Sequence, residues 1–299
     1  MIDLQLAKSL MSAIARHTRV ILVGDKDQLP SVGAGRVFAD LLATESMPRV
    51  VLQKVFRQAE SSSIITFAHD INHGVVPDLP VPDGEVESDT YFLPRKEPER
   101  IASLVNSLFC SQVRQKFNIP SKNITILTPT NRGPLGTIEL NQRIQKSINP
   151  DIAQKPRIDF DSYQLTVGDR VCQRVNNYQI DDQGVFNGDQ GIIVDVDSKA
   201  KALTVELWDG RHIHYQGNEV RQLSLAYAMS IHRSQGSEIS CVIMVLHDSH
   251  FILLDRQLLY TGMTRAKQLL IIVGSRRALA MSAQKAQAKN RNTYLRERI

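Results

Sequence analysis

Cysteine is scarce in this 299-residue chain, and its spacing argues against two classes of site. The three cysteines, Cys110, Cys172 and Cys241, lie more than sixty residues apart, and their number is odd. A disulfide framework needs pairs, and a structural metal site needs ligands at short spacings. The eight histidines form no metal-binding pattern with acidic residues. We therefore expect no metal-ligand set in this chain and a reducing, cytoplasmic location.

Long apolar segments are also missing. No run approaches the ~20 consecutive apolar residues that a membrane helix needs. The first residues, MIDLQLAKSL, contain no basic stretch followed by an apolar one, so no signal peptide is predicted. Apolar residues make up 42% of the chain and charged residues 22%, which is usual for a soluble protein. The sequence thus predicts a protein without a membrane segment.

The excess of positive over negative charge is confined to one end of the chain. The net charge is +5, and the segment 276–299, the basic tail, contains seven basic residues and one acidic residue. The rest of the chain is therefore close to neutral. The tail can contact phosphates, although a solvated terminal helix is the simpler interpretation.

Two signatures of nucleotide binding are absent from these 299 residues. No glycine is followed by lysine, so the phosphate-binding GxxxxGK[ST] loop does not occur. No Asp-Glu dipeptide occurs either. The sequence therefore contains no lysine-bearing loop of the kind that holds the β- and γ-phosphates of a nucleoside triphosphate.

The most informative motif that is present is GDKDQLPSVGAG, at residues 24–35. It follows an apolar run that predicts a buried strand over Arg19–Val23. Ligands bind at such strand ends in open α/β sheets. Asp25 and Gln28 are placed to orient a water or to contact a terminal phosphate, although Gly-Asp alone is more often a simple turn.

Alternating helix and strand patterns predict an α/β fold. Residues 1–74 are interpreted as the C-terminal remnant of a first domain, and residues 75–90, which contain several prolines, as a linker. The expected elements before the linker are helices over 4–16, 40–43 and 60–73 and strands over 19–23 and 49–52.

A second α/β domain is predicted from residues 91–164 and 223–275, interrupted by an insertion over 165–222. The expected strands are 91–93, 123–127, 241–246 and 269–273, and the expected helices are 99–117, 139–148, 223–231 and 257–264. The insertion consists of short alternating runs separated by Gly, Asn and Asp turns, which is typical of a small β-barrel.

Two further motifs lie near the end of the chain: AYAMSIHRSQGSE and LLYTGMTRAKQLLIIVG. Together with GDKDQLPSVGAG they resemble, in the same order, the later motifs of RecD-like superfamily 1 helicases. The resemblance extends from Gly24 to Gly274. It implies a remnant of one RecA-like domain, a complete second RecA-like domain and an inserted SH3-like β-barrel. It also implies an ATP-dependent DNA helicase that moves 5′→3′ on single-stranded DNA in recombination or repair.

The resemblance assigns ATP-contacting roles to particular residues. Gln28, Arg57 and Arg265 match residues that contact the γ-phosphate, and arginine suits this task because it stays charged and can bridge two oxygens. Glu238 matches a residue that faces the nucleotide sugar. The complete predicted set for ATP is Asp25, Gln28, Arg57, Gly236, Glu238 and Arg265.

DNA contacts are implied for two turns and for the insertion. Thr128, Thr130 and Arg132 lie in TPTNRGPLGT, and His232, Ser234 and Gln235 lie in the HRSQG turn. Hydroxyl, amide and backbone donors there can position a phosphodiester without reading sequence. The insertion offers three aromatic candidates for base stacking, although core packing is at least as good an interpretation for the only tryptophan. They are Tyr178, Trp208 and Tyr215.

In the family, the phosphate loop and the Mg²⁺-binding Asp-Glu pair precede a segment like Met1–Leu4. We therefore expect the chain to be the C-terminal portion of a helicase, to need a further segment for ATP and Mg²⁺, and to be inactive alone. The expected partners are single-stranded DNA and nuclease or recombination subunits. Two alternatives stay open: a non-catalytic module that binds single strands or a partner, and an NTPase completed by a separate chain.

Overall fold

In the computed structural model, which describes residues 2–52, 62–82, 87–286, 291 and 295, the central element is a five-stranded parallel sheet. Its strands are β1 (Thr90–Pro94), β2 (Ile124–Thr128), β10 (Ala228–Ser230), β11 (Ile239–Leu246) and β12 (Ala266–Gly274). Their order is β1-β12-β11-β2-β10, and every ladder is parallel. The carboxyl ends of all five strands therefore lie along one edge.

Helices cover both faces of this sheet. α4 (Pro98–Ser107) and α6 (Thr137–Ile148) pack on one face. The other face is covered by α3 (Ser63–Asn72), α7 (Arg256–Met263) and α8 (Arg276–Gln284). A π-helical turn (Leu108–Gln112) and α5 (Val113–Phe117) continue α4. Because both faces are buried, the strands are almost continuously apolar, as ISCVIMVL in β11 illustrates.

An antiparallel insertion leaves the sheet domain after α6 and returns before β10. Its strands are β5 (Arg170–Gln173), β6 (Gln190–Asp197), β7 (Ala202–Leu207), β8 (His212–Gln216) and β9 (Leu223–Leu225). The order is β8-β7-β6-β5-β9, with β8 and β9 at its two ends. A two-stranded ribbon, β3 (Arg157–Asp159) with β4 (Gln164–Thr166), precedes it. The core of the insertion is continuous with one face of the parallel sheet.

Two buried charged residues fasten the insertion to the sheet domain. The Asp169 carboxylate accepts hydrogen bonds from Asn149 Nδ2 (2.8 Å), Gln145 Nε2 (2.5 Å), Thr166 N (2.9 Å) and Tyr227 OH (3.1 Å). The neighbouring guanidinium of Arg170 donates to Ile124 O at 2.6 Å and Thr125 Oγ1 at 2.9 Å, both in β2. Burial lowers the pKa of Arg170 to about 10, so the group stays charged at neutral pH.

The amino-terminal part contains helices but not the two strands expected there. α1 (Leu4–Ala13) and α2 (Val37–Ala43) form, whereas residues 19–23 and 49–52 are not strands. Their apolar side chains are exposed, and Val23 and Leu52 are each 92% accessible. The strand predictions were wrong because a strand needs a neighbour for its N–H and C=O groups. No strand among the described residues pairs with either segment.

The prediction of a helix over 223–231 was also wrong. This segment forms β9, which pairs with β5, and β10, which pairs with β2. Leu223, Leu225, Tyr227, Met229 and Ile231 are buried at a spacing of two, which is the period of a strand, and Ala226 and Ala228 between them are buried as well. Among the described residues, no helix is both long and apolar enough to cross a bilayer.

Candidate functional site

The segment Gly24–Gly35, the glycine loop, docks against the sheet domain. Leu29 is buried, and its N–H donates to Thr261 Oγ1 on α7 at 2.8 Å. The Leu29 carbonyl accepts Nε2 of Gln235, in the turn after β10, at 2.6 Å. The loop is therefore held by two motifs that lie more than two hundred residues further along the chain.

Asp25 forms a second link between the glycine loop and α7. Its carboxylate accepts the Tyr260 hydroxyl at 3.0 Å and the Gln28 amide Nε2 at 3.0 Å. Burial, followed by the negative charge of Asp25, raises the pKa of Tyr260, so its hydroxyl remains a proton donor at neutral pH. The orientation of the Gln28 amide is thus set by a carboxylate that α7 fixes.

Arg265 lies at the junction of α7 and β12 and is only 8% exposed. Its Nε donates to Thr261 O at 3.1 Å and its Nη1 to Ser237 O at 3.1 Å. Burial lowers the pKa of this guanidinium, and the charge of Asp25 is the largest opposing influence. No carboxylate among the described residues lies within 4.0 Å of it. Arg265 is therefore a positive charge held in place by carbonyl groups and, within the described part of the chain, not paired with an acid.

A cavity of about 440 Å³ lies between the glycine loop, α1, α2 and the turn after β10. Asp25, Gln28 and Gly236 line it, together with Gln235 and Gln257. Its volume is in the range of small-molecule sites. Glu238 lies apart from this lining: its carboxylate pairs with Lys267 Nζ at 3.2 Å, and 78% of its side chain is exposed.

The basic tail reaches the glycine loop through Arg291. A single guanidinium nitrogen, Nη1, donates to the carbonyls of Ser31 (2.8 Å), Gly33 (2.7 Å) and Gly35 (3.0 Å). Gly35 has a φ of +93°, a conformation that favours glycine. At this residue, therefore, the tail binds the protein's own backbone.

Three of the residues predicted to contact DNA are committed to internal hydrogen bonds. Thr128 and Ser234 are fully buried, and their hydroxyls donate to Leu135 O at 2.7 Å and Ile231 O at 2.9 Å. Gln235 donates to Leu29, as described above. These side chains shape the two turns, and in this structure the hydroxyls are not presented to solvent.

The side chains of the other three predicted residues make no hydrogen bond to the described residues. Arg132 is exposed, and Thr130 has a buried Oγ1 without a partner among the described residues. His232 is partly buried, and burial lowers its pKa despite the opposing charge of Asp255, so the ring is neutral at pH 7. Thr130 and Arg132 follow β2, and His232 follows β10, at the same carboxyl edge of the sheet.

Arg233 connects the turn after β10 to the insertion. Its guanidinium donates to Gln173 O, at the end of β5, at 2.9 Å and to Ser224 Oγ, in β9, at 3.2 Å. Gln173 and Asn177 both donate to Gln222 Oε1, so the loop that leaves β5 begins beside this contact. The turn and this loop are therefore neighbours in the fold.

The aromatic residues of the insertion separate into exposed and buried groups. Tyr178 is 71% exposed and packs edge-on against Phe186, and Trp208 is 47% exposed. Tyr215 is completely buried, and its hydroxyl donates to Gln173 Oε1 at 3.1 Å. The stacking role considered for Tyr215 was therefore wrong, because a base cannot reach a fully buried ring.

Three family models match separate parts of the chain. An AAA domain model matches residues 1–81, the SH3 domain model of ATP-dependent RecD-like DNA helicases matches residues 140–207, and the UvrD-like helicase C-terminal domain model matches residues 225–273.

Curated relatives match almost the whole chain. The ATP-dependent RecD2 DNA helicase of Deinococcus radiodurans is 35% identical over 294 residues, which is 97% of this chain and 37% of that protein. The chain belongs to the RecD-like helicases of superfamily 1. The RecBCD enzyme subunit RecD of Mycobacterium tuberculosis is 27% identical to this RecD-like chain, over 96% of it and 50% of that subunit. The chain thus spans between about a third and half of these relatives.

Solved helicase structures are also similar to this RecD-like chain. The crystal structure of Pif1 helicase from Bacteroides in complex with ADP-AlF3 and ssDNA covers 88% of this chain and 63% of that one, at 18% identity and a TM-score of 0.48. The expected fold class is confirmed: a parallel α/β sheet carries an antiparallel insertion, whose strands β5, β6 and β7 lie within the residues that the SH3 model matches.

In the RecD-like chain, some predicted site residues come together and others do not. Asp25, Gln28 and Gly236 share one cavity, and Arg265 is held by the helix that binds Asp25, whereas Arg57 lies outside the described residues. Sequence reasoning missed the roles of Tyr260, Thr261, Arg233 and Arg291. The first two lie inside the YTGMTRAK motif, which was a usable signal.

Proposed function

We propose that this chain forms part of an ATP-dependent DNA helicase that moves along single-stranded DNA, with 5′→3′ polarity, in recombination or repair. One observation carries the proposal: the glycine loop, with Gln28, is docked on the elements that hold Arg265 and Gln235. Two parts of the chain thus meet at one cavity. A ligand bound there would alter how firmly they hold each other.

Gln28 and Arg265 are the proposed sensors of the nucleotide. When bound, ATP would supply a terminal phosphate whose charge changes on hydrolysis. Gln28 Nε2, which now donates to Asp25, is a donor for that phosphate. Arg265 supplies a positive charge that is not paired with any carboxylate in the described part of the chain. Asp25 and Tyr260 would position Gln28, and Gly236 would shape the cavity wall.

The described residues fit only part of an ATP site. Among them, no group of three His, Cys, Asp or Glu side chains is placed to hold a metal ion. The lysine-bearing phosphate loop is absent from the sequence. We therefore propose that the ligands for Mg²⁺ and the lysine come from a further polypeptide segment, and we assign no step to the metal.

The proposed path of DNA runs over the carboxyl edge of the sheet beside the insertion. Arg132 and His232 follow neighbouring strands there, and Arg233 joins the turn to the insertion loop that carries Tyr178 and Phe186. Exposed aromatic rings stack on bases without strong sequence preference. Two further proposals rest on the family alone. Glu238 would face the nucleotide sugar, and nuclease or recombination subunits in the cytoplasm would be partners.

The test of the nucleotide role uses a chimaera in which residues 1–299 replace the matching segment of the Deinococcus helicase. ATP hydrolysis stimulated by single-stranded DNA is measured for the parent chimaera and for Arg265→Ala. We expect turnover to fall on the order of 10³-fold, because a positive charge on the reacting phosphate is lost. Binding of a fluorescent ATP analogue should change little.

Arg114→Ala is the matched control, since Arg114 is an exposed arginine in the last turn of α5. It should leave turnover unchanged. Near-normal turnover in Arg265→Ala would contradict the sensor role. Binding of single-stranded oligonucleotides that is flat with salt, or strongly dependent on base sequence, would contradict the proposed DNA path.

A further inference from the structure

A basic crevice lies at the carboxyl edge of the sheet, at the far side from β10. It is formed where β1 and β12 end side by side, with Pro94 paired to Gly274. α4 follows β1 and packs on one face of the sheet, whereas α8 follows β12 and packs on the other. Neighbouring strands whose helices leave to opposite faces define the switch point of an open α/β sheet, where ligands bind.

The crevice has a volume of about 720 Å³ and an excess of positive charge. Five basic residues line it against two acidic residues, Glu97 and Asp248. The basic residues are Arg95, Lys96, Arg100, Arg276 and Arg277. The crevice is therefore suited to an anion.

Both acidic residues are already engaged with neighbours. The Asp248 carboxylate accepts the hydroxyl of Ser275, and Glu97 lies 3.8 Å from Arg100 with both side chains largely exposed. Lys96 and Arg277 have no acidic partner within 4.0 Å among the described residues. These two charges are thus free to bind an external anion.

Two helix N-termini add to the positive electrostatic potential of the crevice. α4 begins at Pro98 and α8 at Arg276, and both starts lie at the crevice because each helix follows a strand that ends there. Unpaired N–H groups and the helix dipole favour phosphate groups at such ends. The basic side chains supply most of the positive charge of the crevice, and the helix ends add to it.

The crevice shares its edge with the turns after β2 and β10, to which DNA contacts are assigned. From β2 it is two and a half strand spacings away, or about 12 Å. A single strand with ~3.4 Å between nucleotides covers this distance in about four nucleotides. A strand bound at the two turns can therefore reach the crevice.

We propose that this crevice binds backbone phosphates of the same single strand of DNA, as a second contact beyond the turns after β2 and β10. The proposal rests on the DNA-binding function proposed above. Lys96 and Arg277 are the residues expected to contact phosphate, because both are exposed and no carboxylate of the described ranges pairs with them. The contact would hold the strand without reading its sequence.

The test compares the 299-residue chain with the double variant Lys96→Ala/Arg277→Ala. Anisotropy of labelled oligothymidylates of about 16 and about 3 nucleotides is measured between ~50 and ~200 mM salt; at ~3.4 Å per nucleotide the shorter one cannot span the ~12 Å from the β2 turn to the crevice. Two lost phosphate contacts should lower the salt slope by about 1.4 and weaken binding of the long oligonucleotide about tenfold at ~200 mM salt. Binding of the short one should be unchanged.

The control variant Lys122→Ala/Lys199→Ala removes the same charge elsewhere, from the amino edge of the sheet and from the turn between β6 and β7. It should bind both oligonucleotides like the parent chain. An equal loss in the control would show that only net charge matters, and an equal loss on both lengths would show that the crevice is no second contact. Either result overturns the proposal.

Two further outcomes also overturn it. The double variant could weaken the binding of free ATP or inorganic phosphate and leave the binding of the long oligonucleotide unchanged. In that case the crevice is a site for small anions. If the chain binds DNA and responds to Arg132→Ala but not to the double variant, the crevice proposal alone fails. If the parent chain does not bind the oligonucleotides, the proposed DNA-binding function fails with it.

Discussion

Replacing Asp169 by alanine should destabilise the chain strongly, because it removes the acceptor on which four donors converge. Asp169 is completely buried, and its four hydrogen bonds join α6, the approach to β5 and Tyr227. A hydrogen bond to a charged group contributes about 1.5–3 kcal/mol. Desolvating the carboxylate cancels several kcal/mol of that sum. We expect a net loss of about 3 kcal/mol in the free energy of unfolding.

Urea denaturation followed by tryptophan fluorescence measures this loss. Trp208 is the only tryptophan and lies in the insertion, with the Arg170 guanidinium 5.8 Å from the centre of its ring. With a slope of about 3 kcal/mol per molar urea, the midpoint should fall by about 1 M. Asp195→Ala, an exposed aspartate on β6, should change stability by less than about 0.5 kcal/mol. A similarly small effect of Asp169→Ala would refute the anchoring role.

The purified 299 residues should hydrolyse ATP only at background rate with Mg²⁺ and single-stranded DNA, because no lysine-bearing phosphate loop occurs in the sequence; turnover that Arg265→Ala abolishes would contradict this. Arg291→Ala should speed amide hydrogen exchange of the glycine loop about tenfold, since three hydrogen bonds contributing together about 1–2 kcal/mol are lost. Unchanged exchange would show that Arg291 does not hold the loop. Burial, followed by the proximity of His247, lowers the pKa of His250 to about 4 from 6.5. Between pH 6.5 and pH 4 the imidazole of His250 is protonated in the unfolded chain but neutral in the folded one. The free energy of unfolding is therefore unaffected by His250 above pH 6.5 and falls by up to about 3 kcal/mol towards pH 4. His250→Leu should remove that part of the acid sensitivity in denaturation curves, and an unchanged pH profile would count against it.

Much of the fold could be predicted because local patterns carried enough information. The strands β2, β11 and β12 are buried on both faces, so their sequences are almost purely apolar and were located to within a few residues. The motifs around Gln28 and Arg265 were recognisable as strings, and the turn-rich segment marked the insertion. These features depend on neighbours in sequence.

Other features depended on partners far along the chain. Residues 19–23 and 49–52 have the composition of strands but no pairing strand among the described residues, and Leu223–Leu225 became a strand because β5 lies beside it. Local composition cannot reveal whether a partner is present.

The candidate site shows the same division. The sequence determined which side chains are available: a carboxylate and an amide at Asp25 and Gln28, and a guanidinium at Arg265. Only the tertiary structure decided their use. It set Tyr260 against Asp25, brought Arg291 to the glycine loop and buried the Ser234 hydroxyl. Such contacts join residues up to 260 positions apart, and their geometry comes from the packing of whole helices and strands, which no short motif encodes.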